Sequence, residues 1–281
     1  MESEKNESAA LRFLYHTVPG RVVLKILSSR GISKLCGKFL DSPLSRPMIS
    51  GFIKKHQILL SEYVFDEFHD FNAFFSREIK PELRPISNAP DALISPCDGL
   101  LSAYHITDGL VLPIKQSSYT ISELLDGDSI AACYRDGICL VFRLCVNHYH
   151  RYCYLDDGSK GDNHPIAGKL HTVRPIALAE LPVFVQNCRE YTIMETAHFG
   201  TVTQIEVGAM LVGKIQNHHG PGTFVRGQEK GMFLYGGSTI VLLLEKGRAS
   251  LSESIFSNTE QGLETPVQMG QILGFTQRQQ A

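Results

Sequence analysis

The sequence predicts an α+β chain in which short N-terminal helices precede a mainly β sandwich or barrel. Three observations lead there. Between residues 9 and 60 apolar residues recur at helical spacing with basic residues between them, as in Val22, Val23, Ile26 and Leu27 around Arg21, Lys25 and Arg30. From Leu93 onward the chain breaks into short runs rich in β-branched and aromatic residues, separated by Gly, Asp, Asn and Pro. The run Ile240 to Leu244 is apolar throughout and follows Gly236-Gly237-Ser238-Thr239, the pattern of a buried strand with a tight corner at its start. A boundary near residue 88 therefore divides a helical part, 1–87, from a β part, 88–281.

In chain order, Pro19-Gly20 and Pro43 cut the first part into short helices, and no apolar run approaches the roughly 20 residues needed to cross a bilayer. Residues 1–60 carry ten Lys/Arg against four Asp/Glu, an excess of +6. A basic amphipathic segment of this kind either lies on an anionic membrane surface or packs on its own domain. Phe71, Phe74 and Phe75 share one helical face, and that helix is expected to run to Lys80, where Pro81 stops it. Thr120-Ile-Ser-Glu123 is a capping-box pattern, ended by Asp126-Gly127. Residues 191–196, 201–207 and 210–216 read as strands, with Phe199-Gly200 turning between the first two.

Composition bounds the chemistry. A chain of 281 residues with 43% hydrophobic content supports a sizeable core. Seven cysteines without a C-x-x-C pair, behind the polar start MESEKNESAA, speak against a disulfide framework or zinc ribbon and favour a reducing, cytosol-facing setting. A formal net charge of −2 argues against general nucleic-acid binding. There is no internal repeat, P-loop or dinucleotide fingerprint.

The reactive candidate is Ser238. Two preceding glycines allow backbone conformations closed to other residues, so the hydroxyl can be pressed against the Gly237 carbonyl, which suggests self-cleavage; a plain β-corner is the alternative. Asp98 lies in a turn within Ser95-Pro-Cys-Asp-Gly99. In Val146-Asn-His-Tyr-His-Arg-Tyr-Cys-Tyr154, an extended backbone puts His148, His150 and Tyr152 on one face. The two histidines lack a clear third ligand, so no metal site is expected. An imidazole beside Ser238, with a carboxylate beside the imidazole, forms a base-activated nucleophile. A serine hydrolase using Ser238, His150 and Asp98 is an alternative, though G-x-S-x-G is absent. A noncatalytic β-barrel binding module is another.

Taken in order, FNAFFSREIKPELRPI (71–86), SPCDG (95–99), NHYHRYCY (147–154), FGTVTQIEVGAMLVGKI (199–215), RGQEKG (226–231) and FLYGGSTIVLL (233–243) resemble the phosphatidylserine decarboxylase family. The resemblance implies a proenzyme that cuts itself between Gly237 and Ser238 into a β chain, 1–237, and an α chain, 238–281. It implies a pyruvoyl cofactor made from Ser238, which forms a Schiff base with the substrate amine while carbon dioxide leaves. Phosphatidylserine is the implied substrate and phosphatidylethanolamine the product. A peripheral position on the anionic, cytoplasmic face of a membrane and a homodimer of αβ units go with it. By position, Asp98 matches the family's charge-relay carboxylate, Ser238 its nucleophile, and His150 its histidine of substrate handling and protonation. The family's triad imidazole falls three residues after His150, where this chain has Cys153, a poor base near neutral pH. The expectation is that His171 supplies the missing imidazole from a neighbouring strand; the alternative is that His150 does both jobs.

Overall fold

In a computed structural model of the chain, the described residues are 9–64, 67–107, 111–114, 117–173, 176–177, 181–209, 214–234 and 238–277. The N-terminal part holds helices α1 (Ala9–His16), α2 (Val18–Leu27), α3 (Arg30–Leu40) and α4 (Met48–His56), strand β1 (Tyr63–Val64), helix α5 (Phe71–Phe75) and strand β2 (Glu78–Ile79). Local chemistry sets these limits. Thr17 caps α2 by accepting from the Gly20 N–H, with Pro19 in the first turn, and Ser29 caps α3. Asp70 caps α5 through the Ala73 N–H at 2.8 Å. This helix ends at Phe75, earlier than the helical pattern suggests, because Glu78 and Ile79 pair with Val64 and Tyr63. The phenylalanines are core as expected: Phe71, Phe74 and Phe75 are buried with Leu40, Ile49 and Tyr149.

The remainder comprises β3 (Ala92–Ile94), β4 (Gly99–His105), β5 (Val111–Ile114), β6 (Ser117–Thr120), α6 (Ile121–Leu124), β7 (Ile138–Leu144), β8 (Arg151–Cys153) and β9 (Gly158–Ile166). There follow α7 (Val183–Gln186), β10 (Arg189–Thr196), β11 (Gly200–Gly208), β12 (Ile215–Asn217), β13 (Gly222–Phe224), β14 (Glu229–Phe233) and β15 (Ser238–Leu244). The chain closes with β16 (Ala249–Leu251), α8 (Glu253–Glu260), β17 (Thr265–Val267) and β18 (Ile272–Thr276). The capping box at Thr120 and Glu123 is formed, and Gly200 turns the chain into β11 at φ +68°. Of the strand read at 210–216, residues 210–213 lie outside the described residues, and the paired strand begins at Ile215.

The architecture is α+β, and its principal sheet is open rather than a closed barrel. Eight strands run in the order β13-β9-β10-β11-β15-β7-β4-β17, each pair antiparallel, with β15 near the middle. Smaller sheets, β12-β14-β8 and β16-β18-β3, pack beside it. Alternation along the strands divides the core in two. Leu140, Phe142, Leu144, Ile240, Leu242 and Leu244 face one cluster, which also holds Cys97, Tyr152, Cys153 and Phe233. Cys139, Val141, Ile205, Val207, Val241 and Leu243 face the other, where Tyr15 of α1 and Leu24 of α2 join them. All seven residues of β15 are buried, and each large aliphatic side chain there contributes about 1.5–3 kcal/mol of burial free energy.

Candidate active site

Ser238 opens β15, opposite Leu144 of β7 on one side and Gly208 of β11 on the other. Alternation places its side chain on the face of Ile240, Leu242 and Leu244. The residue is fully buried, and its Oγ has no hydrogen-bond partner among the described residues. A buried hydroxyl without a partner costs about 1–3 kcal/mol, and the neighbouring Thr239 hydroxyl is unpartnered among the described residues as well. Tyr235, Gly236 and Gly237 lie outside the described residues, so the tight corner read from the sequence is not described.

His150 follows a turn. After Leu144 ends β7, the His148 N–H donates to the Cys145 carbonyl at 2.9 Å, and the His148 ring folds back so that its Nδ1 accepts from the Cys145 N–H at 3.1 Å. His148 is therefore in a turn and does not share an extended face with Tyr152, as an unbroken strand would require. The His148 carbonyl faces His150 Nδ1 at 2.9 Å. A carbonyl only accepts, so Nδ1 carries the proton and the neutral ring keeps its lone pair on Nε2. That atom is buried and without a partner among the described residues. Burial pushes the His150 pKa down to about 3, opposed by the His148 carbonyl and assisted by the charges of His148 and Arg77. The Phe75 ring packs 4.2 Å from the imidazole and helps exclude water. The result is a neutral imidazole in the tautomer of a base, with a backbone carbonyl fixing its orientation.

Asp98 is held elsewhere. Arg84 grips its carboxylate with Nε at 2.7 Å and Nη2 at 2.5 Å, and the Met269 N–H donates to Oδ1 at 2.9 Å. No described imidazole lies within hydrogen-bond distance of it, although its charge raises the pKa of His148 against the larger lowering by burial. Asp98 immediately precedes Gly99 of β4, whose backbone lies so close to β7 that a Cβ would approach the Arg143 carbonyl oxygen to 3.3 Å. Because Leu100 pairs with Arg143, the carboxylate falls at the same end of the sheet as Ser238, across β7. The sequence carried no sign of the Arg84–Asp98 pair, whose members stand on a loop and a turn far from any periodic pattern.

Cys153 is buried in β8, with its N–H on the Pro96 carbonyl at 2.9 Å. Burial pushes its thiol up to about 12, so it stays protonated and supplies no base. His171 does not reach Ser238. Its ring approaches Tyr15 at 6.4 Å between centroids and borders a cavity with Leu24 and Leu181, all on the far side of the sheet from the Ser238 hydroxyl. Its backbone is held by the Asn187 side chain, which also donates to the carbonyl of Gly208, the register partner of Ser238. The expectation that His171 supplies an imidazole to Ser238 from a neighbouring strand is not met by any hydrogen bond, since neither its ring nitrogens nor the Ser238 hydroxyl have a partner among the described residues.

Under Ser238, on the same face, lies a charged network absent from the sequence reading. Glu206 and Lys230 are both fully buried and paired at 2.7 Å, with Gln204 donating to Glu206 at 2.8 Å and Lys230 donating to Asn217 at 2.9 Å. Among the described residues no group of three or more His, Cys, Asp or Glu side chains is placed to hold a metal ion.

Ser238 at the start of β15 and His150 just before β8 are both buried, each with a reactive atom that has no hydrogen-bond partner among the described residues. The phosphatidylserine decarboxylase family profile matches residues 71–275. "Phosphatidylserine decarboxylase proenzyme 2" of Clostridium acetobutylicum is 44% identical over 271 residues, covering 96% of this chain and 93% of that protein. The phosphatidylserine decarboxylase proenzyme of Ruminiclostridium cellulolyticum is 41% identical over 270 residues, covering 94% and 90% of the two chains. That of Clostridium beijerinckii is 37% identical over 270 residues, covering 94% and 91%. The chain belongs to the phosphatidylserine decarboxylase family, a family of carboxy-lyases.

Proposed function

We propose that the chain decarboxylates phosphatidylserine to phosphatidylethanolamine and carbon dioxide, using a pyruvoyl group that it makes from its own Ser238. The observation that supports the reading is that the Ser238 hydroxyl and the His150 Nε2 are each buried and without a hydrogen-bond partner among the described residues, the state of a nucleophile and of a base before reaction. Such a site fits a group generated in place: the orphan Oγ needs no room for an incoming cofactor.

In the self-cleavage, His150 Nε2 takes the proton from Ser238 Oγ as that oxygen attacks the Gly237 carbonyl carbon. The C–N bond then breaks, the Ser238 nitrogen receives the proton, and an ester replaces the amide. Loss of the Ser238 α-proton expels the Gly237 carboxylate, and hydrolysis of the resulting enamine releases ammonia. The chain would then consist of residues 1–237 and 238–281. The finished pyruvoyl carbonyl supplies an electron sink for the electrons released with carbon dioxide. His150, neutral and desolvated, stands ready to exchange a proton with the substrate α-carbon. Asp98, gripped by Arg84, contributes a fixed negative charge at this end of the sheet, and the apolar wall around Phe75 and Phe233 keeps water out.

The helical part, 1–87, is proposed to rest on an anionic membrane surface while 88–281 carries the chemistry. Supporting this, Val18, Val22, Ile26, Leu35 and Leu44 are each more than half exposed among Arg21, Lys25, Lys34 and Lys38. Among the described residues no helix is long and apolar enough to cross a membrane. The test is carbon dioxide release from phosphatidylserine in mixed micelles. Wild type should release it and Ser238→Ala should not; equal release from both would remove Ser238 from the chemistry.

A further inference from the structure

On the face of the sheet away from Ser238 there is a half-open cavity of about 530 Å³ lined by residues of α2, Ser29 before α3, Lys169 and Leu181. Its lining is basic. Arg21, Lys25 and Lys169 line it, the Arg21 Nε donating to the Tyr15 carbonyl at 3.3 Å, and none of the three has an acidic partner within ion-pair distance among the described residues. Ser29 at its edge is the N-cap of α3, an eleven-residue helix whose positive dipole end opens there.

His171 is the independent observation that a ligand is missing. It is only 5% exposed and borders the cavity, yet neither ring nitrogen has a hydrogen-bond partner among the described residues. Burial and the nearby Lys169 both lower its pKa, so the ring is neutral and offers one donor and one acceptor. A buried imidazole with two unpartnered nitrogens, beside the solvent-exposed cations Arg21, Lys25 and Lys169, offers a hydrogen-bond donor and acceptor to an anion held there.

The surroundings indicate which anion. Along α2, Arg21, Leu24, Lys25 and Ser28 form the stripe facing the cavity, while Val18, Val22 and Ile26 form the adjoining stripe and are exposed. An apolar strip directly beside a cationic pocket matches a molecule with a phosphate at one end and hydrocarbon at the other. We propose that this cavity binds the phosphate of an anionic phospholipid headgroup, as a second lipid site separated by the sheet from the one where Ser238 reacts. Arg21, Lys25 and Lys169 neutralise the phosphate, His171 hydrogen-bonds to it, and the acyl chains remain in the bilayer against Val18, Val22 and Ile26.

The test uses the full chain carrying Ser238→Ala, so that no substrate chemistry intervenes. Calorimetric titration is made with dihexanoylphosphatidylglycerol below its micelle concentration, with dihexanoylphosphatidylcholine, and with inorganic phosphate. The expected result is saturable one-site binding of the phosphatidylglycerol, weakened at least about tenfold in Arg21→Glu/Lys169→Glu and also weakened in His171→Gln. The charge-matched control Lys54→Glu/Lys55→Glu, on α4 and outside the cavity lining, should change it by less than about twofold. Should the reversal variant not fold, His171→Gln alone carries the decision. Equal losses in the control would reduce the effect to surface charge and overturn the site. Phosphate binding as tightly as the lipid would overturn the lipid as its ligand, and absence of saturable binding to any of the three would overturn the proposal altogether.

Discussion

The Phe233 N–H donates to the His150 carbonyl at 2.9 Å, tying the imidazole-bearing segment to the strand that leads into Ser238. Ser238 and His150 both carry buried atoms without hydrogen-bond partners among the described residues. His150→Gln preserves much of the volume and removes the lone pair on Nε2. Self-cleavage, followed by gel electrophoresis after synthesis of the chain, should slow by about 10²–10⁴-fold, the usual range for a general base. Normal cleavage in this variant would remove His150 from the reaction.

Cys153 occupies the position where the family resemblance calls for imidazole, but its thiol is held at about 12 by burial. Cys153→Ala should therefore cleave within about twofold of the wild-type rate, since a protonated thiol contributes nothing as a base. In the native protein, iodoacetamide should modify exposed Cys133 and spare Cys153. Rapid labelling of Cys153 together with loss of cleavage would restore the cysteine as the base.

The pH dependence of stability follows from the same burial. His150 titrates near 3 in the folded chain and near 6.5 when unfolded, so between those values the unfolded state binds the extra proton. This contribution is complete above about pH 6.5 and is lost as pH falls toward 3, at about 1.4 kcal/mol per pH unit. Urea unfolding of Ser238→Ala at pH 7 and pH 5 should show this loss, about 2 kcal/mol from His150, and adding His150→Gln should remove that part. An unchanged difference in the double variant would mean that other groups govern it.

Arg84 and Asp98 form a nearly buried pair, and Glu206 and Lys230 a fully buried one. Removing one partner strands a charge. Arg84→Met and Lys230→Met should each destabilise the chain by about 3–5 kcal/mol in urea unfolding, whereas Glu206→Leu/Lys230→Met should cost less than Lys230→Met alone. A double variant less stable than the single one would show that the network contributes net stability.

Much of this arrangement was legible in the residues. The apolar run at 240–244, the capping box at Thr120 and the aromatic triplet in α5 each follow from a local period or a local hydrogen bond, and each formed. Helix α8 has no such local signal, and in the tail beyond it Thr265–Val267 and Ile272–Thr276 join different sheets. Its Ser- and Glu-rich sequence buries little beyond Ile255, so it carries almost no period. The turn that withdraws His148, the Arg84 grip on Asp98 and the face occupied by His171 depend on contacts between distant segments. Register decides such contacts, and register cannot be read from one strand.

The central claim is that Ser238 breaks the bond before it. Denaturing mass spectrometry of the purified wild type and of Ser238→Ala tests this most directly. The account predicts two wild-type fragments, residues 1–237 and 238–281, with the smaller lighter by one ammonia than its sequence requires, and one uncut chain for Ser238→Ala. A single intact chain in both, or a smaller fragment beginning with an unmodified serine, would contradict it.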